Sequence, residues 1–272
     1  MTIKGLQIER FKKENPLFLF MKRQLYDLTD DPFVVFVDKV GKVLVDENIS
    51  HNIVGGVASQ AYILHMLSKK HGQSVEGLIR NKDVRVQDYV RSTDDVDVAL
   101  DLEGEVDTDR IRRITTEILP KFEFTELSPD GESILEFRAE RVGASRPRYR
   151  VYVNDKGSTE DVIAMNIGRQ PKDLHGLDPS WYGEFIDQGE EINIPYSDKF
   201  NLRLRVPRIE HLLASKISQC RAKDLMDDKN LAILAKDTGL ELDFDEIDKV
   251  LAPKYEDNFR RFLSSEYPAV ER

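Results

Sequence analysis

The hydrophobic pattern of the chain changes near residue 200, and this change limits the fold more than any other feature. Before it, short β-branched runs with alternating polarity indicate strands, with a helical segment ended by Gly72 among them. From Pro207 onward, apolar residues recur at helical spacing up to a stop at Gly239 and in two shorter helices beyond. The pattern predicts an α+β fold: a mixed, mostly antiparallel sheet with flanking helices, followed by a C-terminal helical part.

The same patterns divide the chain into three regions. In the first region, two β-branched runs flank the turn "DKVGK", which predicts a β-hairpin over residues 32–49. The predicted regions are an N-terminal part with helices and this hairpin (1–49), an α/β domain (50–200) and a C-terminal helical domain (201–272).

Composition indicates a globular protein of a reducing compartment. Hydrophobic residues make up 40% of the chain, charged residues 33%, and the single cysteine, Cys220, excludes an intrachain disulfide. The N-terminus lacks the apolar core of a signal peptide, and no apolar run approaches the ~20 residues of a membrane span. We therefore expect a cytoplasmic protein that does not associate with membranes.

A net charge of −10 means that any contact with nucleic acid needs a local basic region. Two arginine-rich stretches could each form such a region: residues 138–150 and residues 203–208. Either stretch could instead be the solvated face of a strand.

The stretch "DVDVALDL" begins at residue 95 and places carboxylates at alternate positions of a strand. Asp95, Asp97 and Asp101 share one face, and the valines and leucines share the other. Carboxylates two residues apart project side by side and could bind Mg²⁺ or Mn²⁺, which coordinate oxygen and keep positions open for phosphate. An acidic outer face on a half-exposed strand is the alternative.

A glycine pair stands between a strand-like run and a helix in "NIVGGVASQAYIL". Gly55 and Gly56 would let backbone amides approach a phosphate closely at the helix N-terminus, and Ser59 could add a hydroxyl. A tight turn without a ligand is the alternative. A Walker-type loop is excluded, because no Gly-Lys-Ser/Thr follows.

Three segments together resemble the DNA polymerase beta superfamily of nucleotidyltransferases, and within it the AbiEii-type toxin family. They are "VGGVA", "RSTDDVD" and "RVPRIEHLLASKISQCRAKDLMD", and the resemblance covers roughly residues 50–235. The matching positions are Gly55, Gly56 and Ala58; Arg91, Thr93, Asp95 and Asp97; and Lys216, Arg221, Lys223, Asp224 and Asp227.

The resemblance implies transfer of a nucleotidyl group from an NTP, ATP included, to an acceptor hydroxyl. The acceptor would be an RNA end such as that of tRNA, held by the arginine-rich stretches, or a protein. The chain would be the toxin of a toxin–antitoxin pair, with a cognate antitoxin as partner. Implied roles are metal binding for Asp95 and Asp97, phosphate binding for Gly55 and Gly56 with Ser59, Arg91 and Thr93 nearby, contact with the triphosphate for Lys216, and completion of the site for Asp224.

Three features depart from the family pattern. The Gly55–Asp95 gap of 40 residues is long, so residues 73–90 look like an insertion. The strand "VIAMNIG" offers Asn166, a neutral metal ligand, where the superfamily often has a third carboxylate. The hairpin at residues 32–49 is not a family feature.

Helical spacing along one continuous helix would put Lys216 and Asp224 about 12 Å apart on one face, contacting different ends of a nucleotide. A helix-surface ion network, with Lys223 paired to Asp227, is the alternative.

Two other classes of function stay open. A catalytically degenerate module that binds a nucleotide or a partner ranks second, because both Asp95 and Asp97 are present. A purely structural protein ranks third. The five histidines show no HxxxH or HD pairing, which argues against a histidine-based metal site.

Overall fold

The structure is a computed structural model. It describes residues 27–29, 31–81, 84–93, 96–100, 113, 135–142, 148–155, 161–168, 177 and 181–268. In chain order, its helices and strands are α1 (Asp31–Asp46), β1 (His51–Val54), α2 (Gly55–His71), α3 (Val75–Arg80), β2 (Val96–Leu100), β3 (Leu135–Val142), β4 (Arg148–Asp155), β5 (Asp161–Gly168), α4 (Tyr182–Asp187), β6 (Glu190–Pro195), β7 (Asn201–Val206), α5 (Ile209–Gln219), α6 (Ala222–Thr238), α7 (Phe244–Val250) and α8 (Glu256–Glu266).

Five strands form the main sheet in the order β1-β2-β5-β4-β3. Strands β2 and β5 pair in parallel, and the other neighbours pair antiparallel. This arrangement confirms the α+β prediction. The turn residues of "DKGSTE" between "RYRVYVN" and "VIAMNIG" also predict a strand pair, and β4 and β5 do pair antiparallel there. The turn "SPDGE" between the runs at residues 122–127 and 133–139 predicts another hairpin. Residues 122–127 lie outside the described residues, and β3, which overlaps the second run, pairs with β4.

The hairpin predicted over residues 32–49 is wrong, because this stretch forms helix α1. Its buried residues follow a helical spacing, with Phe33, Val37, Val40 and Leu44 all in the core. Valine costs a helix only a few tenths of a kcal/mol relative to alanine, up to about 0.7. Burying one such side chain is worth about 1.5–3 kcal/mol, so packing overrides the β propensity of the valines.

Helix α2 connects the sheet to the C-terminal helices. It starts directly after β1, packs against β1, β2 and β6, and also contacts α5 and α6. Most of its side chains are buried, and it ends at Gly72, which adopts the left-handed conformation. The helix and its glycine stop confirm the sequence prediction.

The C-terminal helical pattern is divided where the sequence suggested continuity. Helix α5 ends at Gln219, Cys220 adopts φ +50°, and α6 starts at Ala222. Helices α7 and α8 follow near the predicted positions. Because of this turn, side chains on α5 contact side chains on α6.

Strands β6 and β7 form a separate antiparallel hairpin. The predicted domain boundary at residue 200 falls in its turn, where the Tyr196 N–H donates to Phe200 O. Residues 73–90 contain α3 and a short 3₁₀ helix, Val86–Asp88. Within the described part of the chain, no helix has the length and apolar character needed to cross a bilayer.

Candidate active site

Strand register at the β1 edge of the sheet aligns the glycine segment with the aspartate segment. Val54, the last residue of β1, is paired with Asp97 of β2, and Asp97 is paired with Asn166 of β5. Since Gly55 follows Val54 directly, the turn into α2 leaves the sheet beside the Asp97 carboxylate. Register therefore joins residues that lie more than 40 positions apart.

At both glycines the backbone approaches neighbouring side chains closely. Gly55 has φ +69°, and a Cβ placed on it would lie 3.2 Å from Asp97 Oδ2. A Cβ on Gly56 would lie 3.2 Å from Thr93 Oγ1 and 3.3 Å from Arg91 Nη2. The glycine pair thus lies against the segment that the sequence predicts to bind metal and nucleotide.

Asp227 of α6 joins that segment to the helical part. Arg91 donates to it from Nε and Nη2, each at 2.8 Å, and Lys216 of α5 donates from Nζ at 2.7 Å. Only 3% of the Asp227 side chain and 3% of the Lys216 side chain are exposed. The pairing of Lys223 with Asp227 considered from the sequence is not formed, because Arg91 and Lys216 occupy this carboxylate.

Asp224 is fully buried one turn before Asp227. Arg221 donates to it from Nε and from Nη2, the latter at 3.1 Å, and Lys216 Nζ lies 3.5 Å from its Oδ1. The predicted separation of about 12 Å between Lys216 and Asp224 is therefore wrong. Its physical reason is the turn at Cys220, which folds α6 back onto α5.

The charges of this cluster shift the pKa values of Asp224 and Arg221. Burial alone would raise the pKa of Asp224, but hydrogen bonds from Arg221 and the charge of Lys216 hold that pKa below its ordinary value. The Asp224 carboxylate raises the pKa of Arg221, and attraction from Asp227 and Asp97 adds to the effect. Arg221 thus lies within the field of the β2 carboxylate.

Asp228 behaves differently from its neighbours. It is buried, and neither carboxylate oxygen has a hydrogen-bond partner among the described residues. Burial raises its pKa well above the ordinary aspartate value, although the Lys216 charge opposes this rise. Folding therefore disfavours the charged form of Asp228.

Two polar side chains that the sequence did not single out hold the Arg91 segment in place. Gln60 of α2 donates from Nε2 to Arg91 O at 2.8 Å, and its Oε1 accepts from Leu28 N. Asn230 of α6 donates to Tyr89 O at 2.8 Å. A polar residue at a buried position of an apolar helix is the signal that could have identified Gln60.

The remaining predicted residues differ in where they lie. Ser59 is fully buried and donates to Gly55 O at 3.3 Å, so its hydroxyl stabilises the first turn of α2. Thr93 is buried beside Gly56. Asp95 lies outside the described residues, and Asn166 is placed by its backbone register only.

The arginine stretch at residues 203–208 is largely engaged within the chain. Arg205 donates to Ile186 O and Asp187 O, and Arg208 pairs with acids that include Glu210. The side chains of residues 138–150 lie outside what the structure describes.

For a divalent metal, Asp97 offers carboxylate oxygen of the kind that Mg²⁺ and Mn²⁺ prefer, and it is half-buried beside an accessible helix start. Within the described ranges, no group of three or more His, Cys, Asp and Glu side chains is arranged to hold a metal ion. The donor chemistry at Asp97 suits a site shared with substrate phosphates, in which protein ligands are few.

Comparisons with known proteins find similarity in structure but not in sequence. No protein-family model matches the chain, and no curated protein matches its sequence. An antigenic nucleotidyltransferase-like protein from Paracoccidioides brasiliensis is similar in structure, with 15% identity, a TM-score of 0.44, and coverage of 89% of this chain and 91% of that chain. JHP933 from Helicobacter pylori is 14% identical, with a TM-score of 0.36 and coverage of 87% and 79%. At this distance neither likeness assigns a function.

Proposed function

We propose that this chain is a metal-dependent nucleotidyltransferase, which moves an NMP from an NTP to an acceptor hydroxyl and releases pyrophosphate. One observation carries the proposal: the Asp97 carboxylate lies against Gly55 at the start of α2, 3.2 Å from where a Cβ would be. A metal ligand and a phosphate-binding helix start are thereby adjacent. A structural turn would not require a carboxylate at that contact.

In this reaction the chain mainly positions charge. Backbone amides at the start of α2 would bind phosphate oxygens, and Asp97, with Asp95 as predicted from the sequence, would hold the metal. A metal ion held there would neutralise phosphate charge and stabilise the charge that develops on the leaving pyrophosphate. Arg91, held by Asp227, fixes the segment between α2 and β2 against the helical part.

The structure supports a changed role for two predicted residues. Lys216 and Asp224 are both buried and bonded to each other and to neighbouring charges. We propose that they position the site instead of contacting substrate, because a direct contact would require a buried ion pair to break.

The second candidate is a nucleotide-binding module without catalysis. It is favoured by the register that places Asn166, a neutral residue, opposite Asp97 in the neighbouring strand. An amide is a weaker metal ligand than a carboxylate and supplies no negative charge, so a second metal would be held poorly.

The acceptor and the biological partner are finer proposals that rest on the sequence resemblance. An RNA end such as that of tRNA, or a protein hydroxyl, would be the acceptor, and a toxin–antitoxin pairing would provide the partner. Because Arg205 and Arg208 are engaged internally, we propose that RNA contact depends on residues 138–150 more than on residues 203–208.

The test is incubation of the purified protein with each α-labelled NTP, Mg²⁺ or Mn²⁺, and total tRNA. The isosteric variant Asp97→Asn should lower transfer by about 100-fold or more, because metal charge stabilisation is worth several kcal/mol. Asp198→Asn, at an exposed aspartate in the β6–β7 turn, is the matched control and should transfer normally.

Equal transfer by wild type and Asp97→Asn would refute the metal assignment. NTP binding without transfer to RNA or to protein would instead support the nucleotide-binding module.

A further inference from the structure

Three cationic side chains converge on the aspartates of α6, and they differ sharply in exposure. The side chains of Arg91 and Lys216 are 16% and 3% exposed, whereas that of Arg221 is 49% exposed. A nucleotide arriving from solvent can contact only a cation that solvent reaches. Exposure therefore separates Arg221 from the other two.

Lys216 and Arg91 already form ion pairs with carboxylates. Lys216 donates to Asp227 and lies beside Asp224, and Arg91 uses two donors on Asp227. Moving Lys216 to a triphosphate would leave Asp227 without one of its two partners in a buried position. Such a loss typically costs several kcal/mol, which the new phosphate contact would have to offset.

Arg221 is held in place by Asp224 and still has N–H groups available for a ligand. Its bonds to the fully buried Asp224 engage Nε and one Nη2 hydrogen, and a guanidinium carries five donor hydrogens. The exposed edge of the group is thus oriented by a buried acid. Lys216 links Asp224, the partner of Arg221, to Asp227, and Asp227 in turn binds Arg91 beside Gly56.

We propose that Arg221 is the side chain that binds the triphosphate of the incoming nucleotide, and that Lys216 is a positioning residue that holds Asp227 and Asp224. This inference rests on the proposed nucleotidyl transfer. A guanidinium held by one carboxylate can still offer two parallel N–H groups to phosphate oxygens, which a single ammonium cannot do.

Calorimetric titration of ATP and of inorganic triphosphate, each with Mg²⁺, tests this role on the full chain. Arg221→Gln should weaken binding of both probes by about 10- to 100-fold, since a charge-assisted hydrogen bond contributes roughly 1.5–3 kcal/mol. Lys229→Gln removes the same charge from an exposed position on α6, the helix that directly follows Arg221, and should change the affinity by less than about threefold.

Arg221 also stabilises Asp224, so thermal unfolding of each variant must be followed beside the titration. Arg221→Lys keeps the charge next to Asp224 but loses the planar fork, and it provides the test if Arg221→Gln does not fold. We expect it to remain folded and to bind triphosphate more weakly than wild type, with a loss at least as large for inorganic triphosphate as for ATP.

The possible outcomes separate this inference from the proposed function. If wild type binds ATP and the folded Arg221 variants bind it equally well, the role of Arg221 is refuted and the proposed function stands. The same holds if a folded Lys216→Met variant loses binding while Arg221→Gln keeps it. If wild type binds neither probe, the proposed function fails as well.

Discussion

Asp227 and Asp228 are adjacent in sequence and equally buried, yet they should respond to the same substitution in opposite directions. Asp227 accepts three hydrogen bonds from Arg91 and Lys216, whereas the Asp228 oxygens have no partner among the described residues. The change from aspartate to asparagine keeps the shape and removes the charge. It therefore isolates the electrostatic contribution of each carboxylate.

Asp227→Asn should lower the free energy of unfolding by about 3–5 kcal/mol, because the buried Lys216 and the part-buried Arg91 both lose a charged partner. For a chain of this size, that loss corresponds to a fall in Tm of roughly 6–20 °C. Asp228→Asn should raise stability at neutral pH, because it removes a carboxyl group that burial disfavours in its charged form.

The sign of the pH dependence follows from the raised pKa of Asp228. Below the ordinary aspartate pKa, both the folded and the unfolded protein hold the proton, so the group gives stability no pH dependence there. Between that value and the raised folded pKa, only the folded protein holds it, and stability falls by up to about 1.4 kcal/mol per pH unit. Above the folded pKa the loss is constant.

Urea unfolding of wild type and both variants at intervals between about pH 4 and pH 8 measures this effect. Contributions from all other groups are shared, so the difference between Asp228→Asn and wild type should grow with pH from about pH 4 upward. A difference that stays flat across this range would refute the claim that Asp228 takes up a proton on folding. An Asp227→Asn variant as stable as wild type would refute the pairing.

Further predictions concern the glycine turn and the hydrogen bonds that hold α2. Gly55→Ala and Gly72→Ala should each cost about 1–2 kcal/mol, because both glycines have positive φ. Only Gly55→Ala should also weaken NTP binding in a titration, because a Cβ on Gly55 would meet Asp97, whereas a Cβ on Gly72 would have no neighbour within 4 Å. If both variants bind NTP equally well, the proposed site is contradicted. Tyr62→Phe should lower the free energy of unfolding by about 1 kcal/mol in urea, because Pro207 O loses a buried hydrogen-bond donor. Tyr267→Phe removes a part-buried hydrogen bond and is the control. If Tyr62→Phe costs no more than Tyr267→Phe, the buried hydrogen bond of Tyr62 does not stabilise the fold.

Local sequence patterns predicted the elements that carry the site. The period of two in "DVDVALDL" indicated strand β2, and the glycine pair indicated the start of α2. These features depend on neighbouring residues, so a single stretch of sequence contains the information. The hairpin predicted over residues 32–49 is wrong for the same reason. The β propensity of its valines is a local property, whereas the burial that favours α1 depends on contacts with distant elements.

The turn at Cys220 shows where local reasoning ends. Helical spacing on both sides of it suggested one helix, and a single left-handed residue brings Lys216 against Asp224 and Asp227 instead. Cysteine is not a residue that favours this conformation, so the pattern carried no signal for the break.

The sequence by itself determined which carboxylates, glycines and cations are available and on which kinds of element they lie. The tertiary structure decided which of them are paired, buried or open to solvent. Arg91 and Asp227 are 136 residues apart along the chain, and no period of the sequence joins them. Partnership and burial depend on packing between such distant elements, and they distinguish the half-exposed Arg221 from the buried Lys216.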